Sequence, residues 1–191
     1  TGIDRSRLDA LMLSETERFV RTHPKSGAHA TTTSTLLAGV PMPWMRRWPG
    51  PFPVVLDAAS GARFTDIDGN EYVDLCLGDT GAMTGHAHGE INAAITAQLE
   101  RGSTAMLPTP DAAWVADELT RRFGLPKWQF AISATDANRF LLRFARAITG
   151  KPKVLVHDWC YHGTVDETLV IAMGDRTISR GGAIGPQINP E

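Results

Sequence analysis

The chain has 191 residues, a formal net charge of −2 and 42% hydrophobic residues, enough for one domain or for one domain and part of another. The near-neutral charge gives no electrostatic footprint for nucleic acid, and no apolar run reaches bilayer length. Cys76 and Cys160 are the only cysteines and make no disulfide framework, and no signal-peptide pattern leads the chain, so the expectation is a cytoplasmic protein without nucleic-acid or membrane partners.

From Asp4 to about Thr22, the apolar residues Leu8, Leu11, Met12 and Phe19 among Arg and Glu predict a surface helix, ended by His23-Pro24. Residues 23–35 are small and Thr-rich and read as a loop. The prolines between Gly39 and Pro53 exclude a helix or central strand there. Trp44, Trp48 and Phe52 in that loop predict packing on its own domain or a subunit interface, ahead of a pocket lining. Three short strands are expected at 54–57, 63–66 and 71–75, with turns at 58–61 and at Asp68-Gly69-Asn70, making a small antiparallel meander. Cys76 to Gly89 is rich in glycine and ends in Gly85-His86-Ala87-His88-Gly89, which suits close approach of backbone to a ligand or another chain.

From Glu90 the pattern becomes α/β. One helix stops at Gly102, and a second starts at Thr109-Pro110-Asp111 and stops at Gly124. A strand at 128–132, a helix at 136–149 with the apolar face Phe140, Leu141, Phe144 and Ile148, and a strand at 153–157 follow. That unit implies parallel pairing with a right-handed crossover, and ligands of such sheets bind beyond the strands' carboxyl ends. Residues 133–135 and 158–163 would share that edge. Val165 to Met173 predicts a short helix or strand, and 174–191 is rich in Gly and Pro. A single strand–helix–strand unit would keep an open sheet edge, so a fragment of a longer protein is expected.

Ser133-Ala134-Thr135 opens the 136–149 helix, where the first amides lack internal partners and carry the positive end of the helix dipole. Small side chains there make a plausible phosphate cradle, although the same residues also make an ordinary N-cap. Asp136 suits the dipole but opposes a phosphate unless turned aside. Tyr161 and His162, on the next strand's exit loop, could offer an aromatic face to a flat heterocycle. A metal site is the alternative from another class, since His86, His88, His157, Cys160 and His162 are ligand types, yet no spacing matches a known zinc pattern. Neither a G-x-S-x-G elbow nor a G-x-G-x-x-G fingerprint is present. A third alternative is a non-catalytic interaction module that uses 39–53 and 76–89 as a dimer interface.

Taken in order, the motifs resemble a known family. Asp66-Ile67-Asp68-Gly69-Asn70-Glu71-Tyr72-Val73-Asp74 resembles the D-x-D-G-x-x-Y-x-D hairpin of class III aminotransferases, fold-type I enzymes that use pyridoxal phosphate. Gly85-His86-Ala87-His88 resembles their G-H-x-H turn, Ser133 to Asn138 resembles S-G-T-E-A-N, and Cys160-Tyr161-His162-Gly163 resembles x-Y-H-G. The resemblance runs from about residue 39 to 170 and is nearest the branch of glutamate-1-semialdehyde aminomutase and β-amino-acid transaminases. It implies an α/β fold in which residues 1–75 belong to a small domain with the meander, and 76–191 begin a mainly parallel, pyridoxal-phosphate-binding large domain. It implies a homodimer that moves an amino group from an amine or amino acid to a carbonyl acceptor, with an aminomutase or racemase as the runner-up.

By position, the resemblance puts the cofactor phosphate at Ser133, Ala134 and Thr135, Tyr161 on the pyridine ring, and His162 beside it. Trp44, Met45, Thr80 and Gly81 match positions near the substrate pocket, while the roles of Arg46 and Arg47 stay open. Ala134 replaces a glycine, which would add strain if φ there were positive, and Asp136 replaces the longer Glu. The family's Schiff-base lysine has no matching context among Lys25, Lys127, Lys151 and Lys153, so this chain alone is expected not to turn over.

Overall fold

A computed structural model describes residues 2–32, 35–103 and 106–180, and the chain divides into two compact units, Thr1–Ala105 and Met106–Glu191. The tail 181–191, within the stretch read as rich in Gly and Pro, lies outside the described residues.

In the first unit, α1 (Arg5–Thr22) starts where Asp4 accepts hydrogen bonds from the amides of Ser6 and Arg7. The loop expected at 23–35 is instead largely a second helix, α2 (Pro24–Thr32). Proline opens it, as the first turn tolerates. Its cap comes from far along the chain: the Asp68 carboxylate accepts from the Lys25 amide at 2.6 Å, the Ser26 amide at 3.0 Å and the Ser26 hydroxyl at 2.7 Å.

Strands β1 (Leu56–Ser60), β2 (Arg63–Asp66) and β3 (Glu71–Val73) form the expected antiparallel meander, in the order β1-β2-β3. The first strand sits later than its sequence reading and runs through 58–60, because only Gly61, with φ of +55°, supplies the turn conformation. The last strand stops at Val73, since Asp74 accepts the Cys76 and Leu77 amides and turns the chain. Phe52 packs in its own unit, 5.1 Å from Phe19 between ring centroids, whereas Trp44 and Trp48 stay exposed.

Asp66 anchors the meander at 1% exposure. It accepts from the Asp68 and Asn70 amides, the Asn70 side chain and the Tyr72 hydroxyl, and His23 on the preceding helix turn meets that hydroxyl through Nε2. Burial pushes the Asp66 carboxyl up, but these donors, Asn70 first, outweigh it and hold the group below the ordinary carboxylate range. Burial and the adjacent carboxylate push the Tyr72 phenol up to about 12, so it stays a donor at neutral pH. Because the folded pKa of Asp66 is depressed, its contribution to stability is full above the unfolded value near ~4 and is lost as pH falls through the folded value. Unfolding midpoints between about pH 6 and pH 2 are expected to fall steeply at the acid end, and Asp66→Asn is expected to flatten that fall; an unchanged profile would separate Asp66 from acid lability.

In the second unit, α4 (Pro110–Phe123) follows α3 (Gly89–Glu100) of the first unit and ends on left-handed Gly124, with φ of +70°. Helix α5 (Ala134–Thr149) starts two residues before its sequence reading and ends on left-handed Gly150. The flanking segments 128–132 and 153–157 are not strands here: they form no ladder with any described residue. Ladder bonds need neighbouring strands to repay chain ordering, and Ile132 at 102% and Leu155 at 98% exposure have none beside them. The 165–173 segment resolves into a short 3-10 turn at Asp166–Thr168 and strand β4 (Val170–Met173). β4 pairs antiparallel with β5 (Arg176–Ser179) in a hairpin that the sequence reading missed. Among the described residues the buried apolar side chains are Val40, Val165 and Ile171, and the α5 stripe of Phe140, Leu141, Phe144 and Ile148 is exposed.

Candidate active site

Ser133 is the N-cap of α5, and its hydroxyl accepts from the Asp136 amide at 3.2 Å and donates to the Asp136 carboxylate at 3.0 Å. The first bond is an ordinary N-cap, and the second runs from the capping hydroxyl itself to the carboxylate three residues on. Together they spend the Ser133 side chain on the helix itself and tie the Asp136 charge to the cap. The Ala134 and Thr135 amides have no acceptor among the described residues. They remain as two donors at the positive end of a 16-residue helix. Ala134 does not have positive φ, so the methyl group in place of glycine adds no backbone strain.

The exit loop meets this turn directly. The Thr164 amide donates to the Thr135 hydroxyl oxygen at 3.2 Å, and the Asn138 side-chain amide donates to the His162 carbonyl at 2.8 Å. Gly163, buried with φ of +83°, lies so near that a Cβ there would fall 2.4 Å from the Thr135 hydroxyl oxygen. The Thr135 hydroxyl accepts from the loop, which leaves its own proton for an outside acceptor. His162 Nδ1 is buried without a partner among the described residues. An orphaned buried nitrogen is costly unless a ligand satisfies it. Two free helix amides, an available hydroxyl proton and this nitrogen fit a phosphorylated, polar heterocycle. Tyr161 is 65% exposed, with the Arg180 guanidinium 6.0 Å from its ring centroid.

Trp44, Met45, Thr80 and Gly81 belong to the first unit. Trp44 is exposed and donates to the Met42 sulfur at 3.2 Å, and Met45 is half-buried. Leu77, Gly78, Asp79 and Thr80 are successive left-handed residues, with φ of 51°, 60°, 53° and 76°. For β-branched Thr80 this is a costly conformation, the kind of backbone strain that clusters at working sites.

The metal alternative finds no support among the described residues, where no group of three His, Cys, Asp or Glu could hold an ion. His86 instead binds the Asp74 carboxylate at 2.6 Å while its backbone pairs with Gly61. That bond, first, holds the Asp74 carboxyl below the ordinary range. The sequence pattern gives Asn138 no role of its own, although it closes the Ser133–Asn138 motif, and nothing around Arg180 marks it.

Residues 44–186 match the family Aminotransferase class-III. The chain is 36% identical over 143 residues to a glutamate-1-semialdehyde 2,1-aminomutase of Methanocella arvoryzae, covering 73% of this chain and 33% of that one. It superposes on the crystal structure of a glutamate-1-semialdehyde-aminomutase from Pseudomonas aeruginosa PAO1 with a TM-score of 0.90 and 48% identity, over 96% of this chain and 41% of that one. A transaminase with PLP bound matches at a TM-score of 0.75 and 30% identity, over 84% of this chain and 38% of that one. The fold is that of the fold-type I enzymes, whose cofactor is pyridoxal 5'-phosphate. The chain spans about a third of the length of the curated relatives it matches. It belongs to the class III aminotransferase family.

Proposed function

We propose that this chain supplies the phosphate-holding and ring-holding parts of a pyridoxal-phosphate site, in an enzyme that transfers an amino group between an amine or amino acid and a carbonyl acceptor. The observation that carries this reading is the pair of acceptor-free amides, Ala134 and Thr135, beside the Thr135 hydroxyl on the turn that seats the Tyr161–Thr164 loop. When bound, the cofactor supplies an electron sink for bond breaking at the substrate's amine-bearing carbon.

The chain's own residues hold and orient it. The Ala134 and Thr135 amides, with the α5 dipole and the Thr135 hydroxyl, take the phosphate; Tyr161 lies against the ring; His162 Nδ1 meets a polar atom beside it. Trp44, Met45, Thr80 and Gly81 contribute to the substrate pocket. Residues 1–75 form part of a small domain and 76–191 part of the cofactor-binding domain of a cytoplasmic homodimer. Among the described residues no helix is long and apolar enough to cross a membrane. None of Lys25, Lys127, Lys151 and Lys153 lies in the context of a Schiff-base lysine, which we place outside residues 1–191.

A second reading, transfer of the amino group within one molecule, is favoured by curated relatives named glutamate-1-semialdehyde 2,1-aminomutase at 36% and 34% identity. Thr135→Val tests the site itself. Losing a hydrogen bond to a charged group costs about 1.5–3 kcal/mol, so affinity for both pyridoxal phosphate and inorganic phosphate is expected to fall about tenfold to a hundredfold in tryptophan-fluorescence titrations. Unchanged affinity for both would place the phosphate elsewhere.

A further inference from the structure

Tyr161 has no side-chain hydrogen bond among the described residues that would fix it, and it sits in a segment without regular structure. Upstream, Trp159 is left-handed with φ of 59°, and downstream Gly163 is left-handed with φ of 83°. A loop bent this way holds one shape only if something outside it does the holding. Two donors do so, one on each side of the tyrosine. The Arg180 guanidinium donates to the Cys160 carbonyl at 3.0 Å, and the Asn138 amide donates to the His162 carbonyl at 2.8 Å. The carbonyl before Tyr161 and the carbonyl after it are therefore both pinned.

The two pins are not equivalent. The Arg180 bond is exposed, so water competes for both partners, whereas the Asn138 bond is part-buried. Asn138 and Thr135 stand three residues apart on α5 and so share a face. The helix face that begins with the free amides thus also sets, one turn further on, where the aromatic residue stands.

We propose that Asn138 is a positioning residue: through the His162 carbonyl it fixes Tyr161 and His162 in register with the first turn of α5, so that phosphate and ring are held at one fixed separation. This rests on the phosphate site proposed above, and it assigns Asn138 no contact with the cofactor. Its removal leaves the Ala134 and Thr135 amides in place and frees the loop. The site then still takes a bare phosphate, but it grips the ring less well.

The test is to titrate wild-type protein, Asn138→Ala and Asn138→Leu with pyridoxal 5'-phosphate and, separately, with inorganic phosphate, and to record circular dichroism in the absorption band of the bound cofactor. Both variants are expected to lose about tenfold in pyridoxal-phosphate affinity, the scale of one shielded hydrogen bond, and most of the induced dichroism. Affinity for inorganic phosphate is expected to stay within about twofold of wild type. Arg180→Ala is expected to have the smaller effect of the two pins. Wild-type protein that binds neither ligand would defeat the site reading and this proposal with it. Wild-type binding of both, with unchanged pyridoxal-phosphate affinity and dichroism in the variants, would overturn the positioning role alone. Loss of far-UV dichroism in both variants would make Asn138 a residue of the fold and also overturn it.

Discussion

Gly163→Ala is expected to lower affinity for pyridoxal 5'-phosphate by about a hundredfold while leaving far-UV dichroism intact. Two effects act together. The left-handed backbone at φ of +83° costs an L-residue about 1–2 kcal/mol, and the added Cβ would lie 2.8 Å from Thr135 Cα as well as 2.4 Å from its hydroxyl oxygen. A clash with Cα cannot be relieved by turning a side chain, so the Tyr161–Thr164 loop must lift off α5. Two orders of magnitude in affinity correspond to about 2.7 kcal/mol, the scale of the ring contacts and shielded hydrogen bond that a lifted loop forfeits. Fluorescence titration checks this, and an affinity within about threefold of wild type would mean that the seat of the loop on Thr135 has no bearing on binding.

The largest effect on stability is expected at Asp66. Asp66→Ala removes the acceptor of four donors, the Asp68 and Asn70 amides, the Asn70 side chain and the Tyr72 hydroxyl, at a site with 1% exposure. Buried donors left without acceptors cost about 1–3 kcal/mol each before relaxation, and breaking a buried charge network typically costs about 3–5 kcal/mol. A loss of about 3 kcal/mol is expected from urea unfolding, because the meander's rim lets water reach some of the freed groups. Asp66→Asn keeps one acceptor oxygen and is expected to lose about half as much. Equal losses for the two would assign the whole effect to the charged carboxylate, since Asn keeps its shape, and an Asn variant as stable as wild type would assign the effect to shape. The Asp66–Asp68 turn also caps α2 through Asp68, so the damage is expected to reach the helix.

What could be read from the sequence was what is encoded locally. Asp4, Thr109-Pro110 and Ser133 mark helix starts, and Gly124 and Gly150 mark helix ends, because caps act over three or four residues. Helix α2 escaped detection because its capping carboxylate, Asp68, is 43 residues past Lys25 in sequence. The segments 128–132 and 153–157 have strand composition, but a ladder depends on neighbours that composition does not reveal. The β4–β5 hairpin turns on Gly174-Asp175, the reverse of the Asp-Gly order that signals a tight turn most strongly.

At the site, the small-residue junction and the Tyr161-His162 loop meet through the Thr164–Thr135 and Asn138–His162 bonds, without the parallel sheet edge that the sequence predicts beneath them. The division of labour there was not readable. Spacing alone leaves Ser133 open as a cap or a ligand, and in the fold its hydroxyl is bonded to Asp136. The concern over Ala134 turned on the sign of φ, which no single sequence states.

The central claim is that the Ala134 and Thr135 amides hold the cofactor's phosphate. A crystal structure of the protein with pyridoxal 5'-phosphate measures this most directly. Phosphate oxygens are expected at about 3 Å from both amides and from the Thr135 hydroxyl, with the ring against Tyr161. A phosphate seated away from the start of α5, with those amides turned to protein acceptors, would contradict the account.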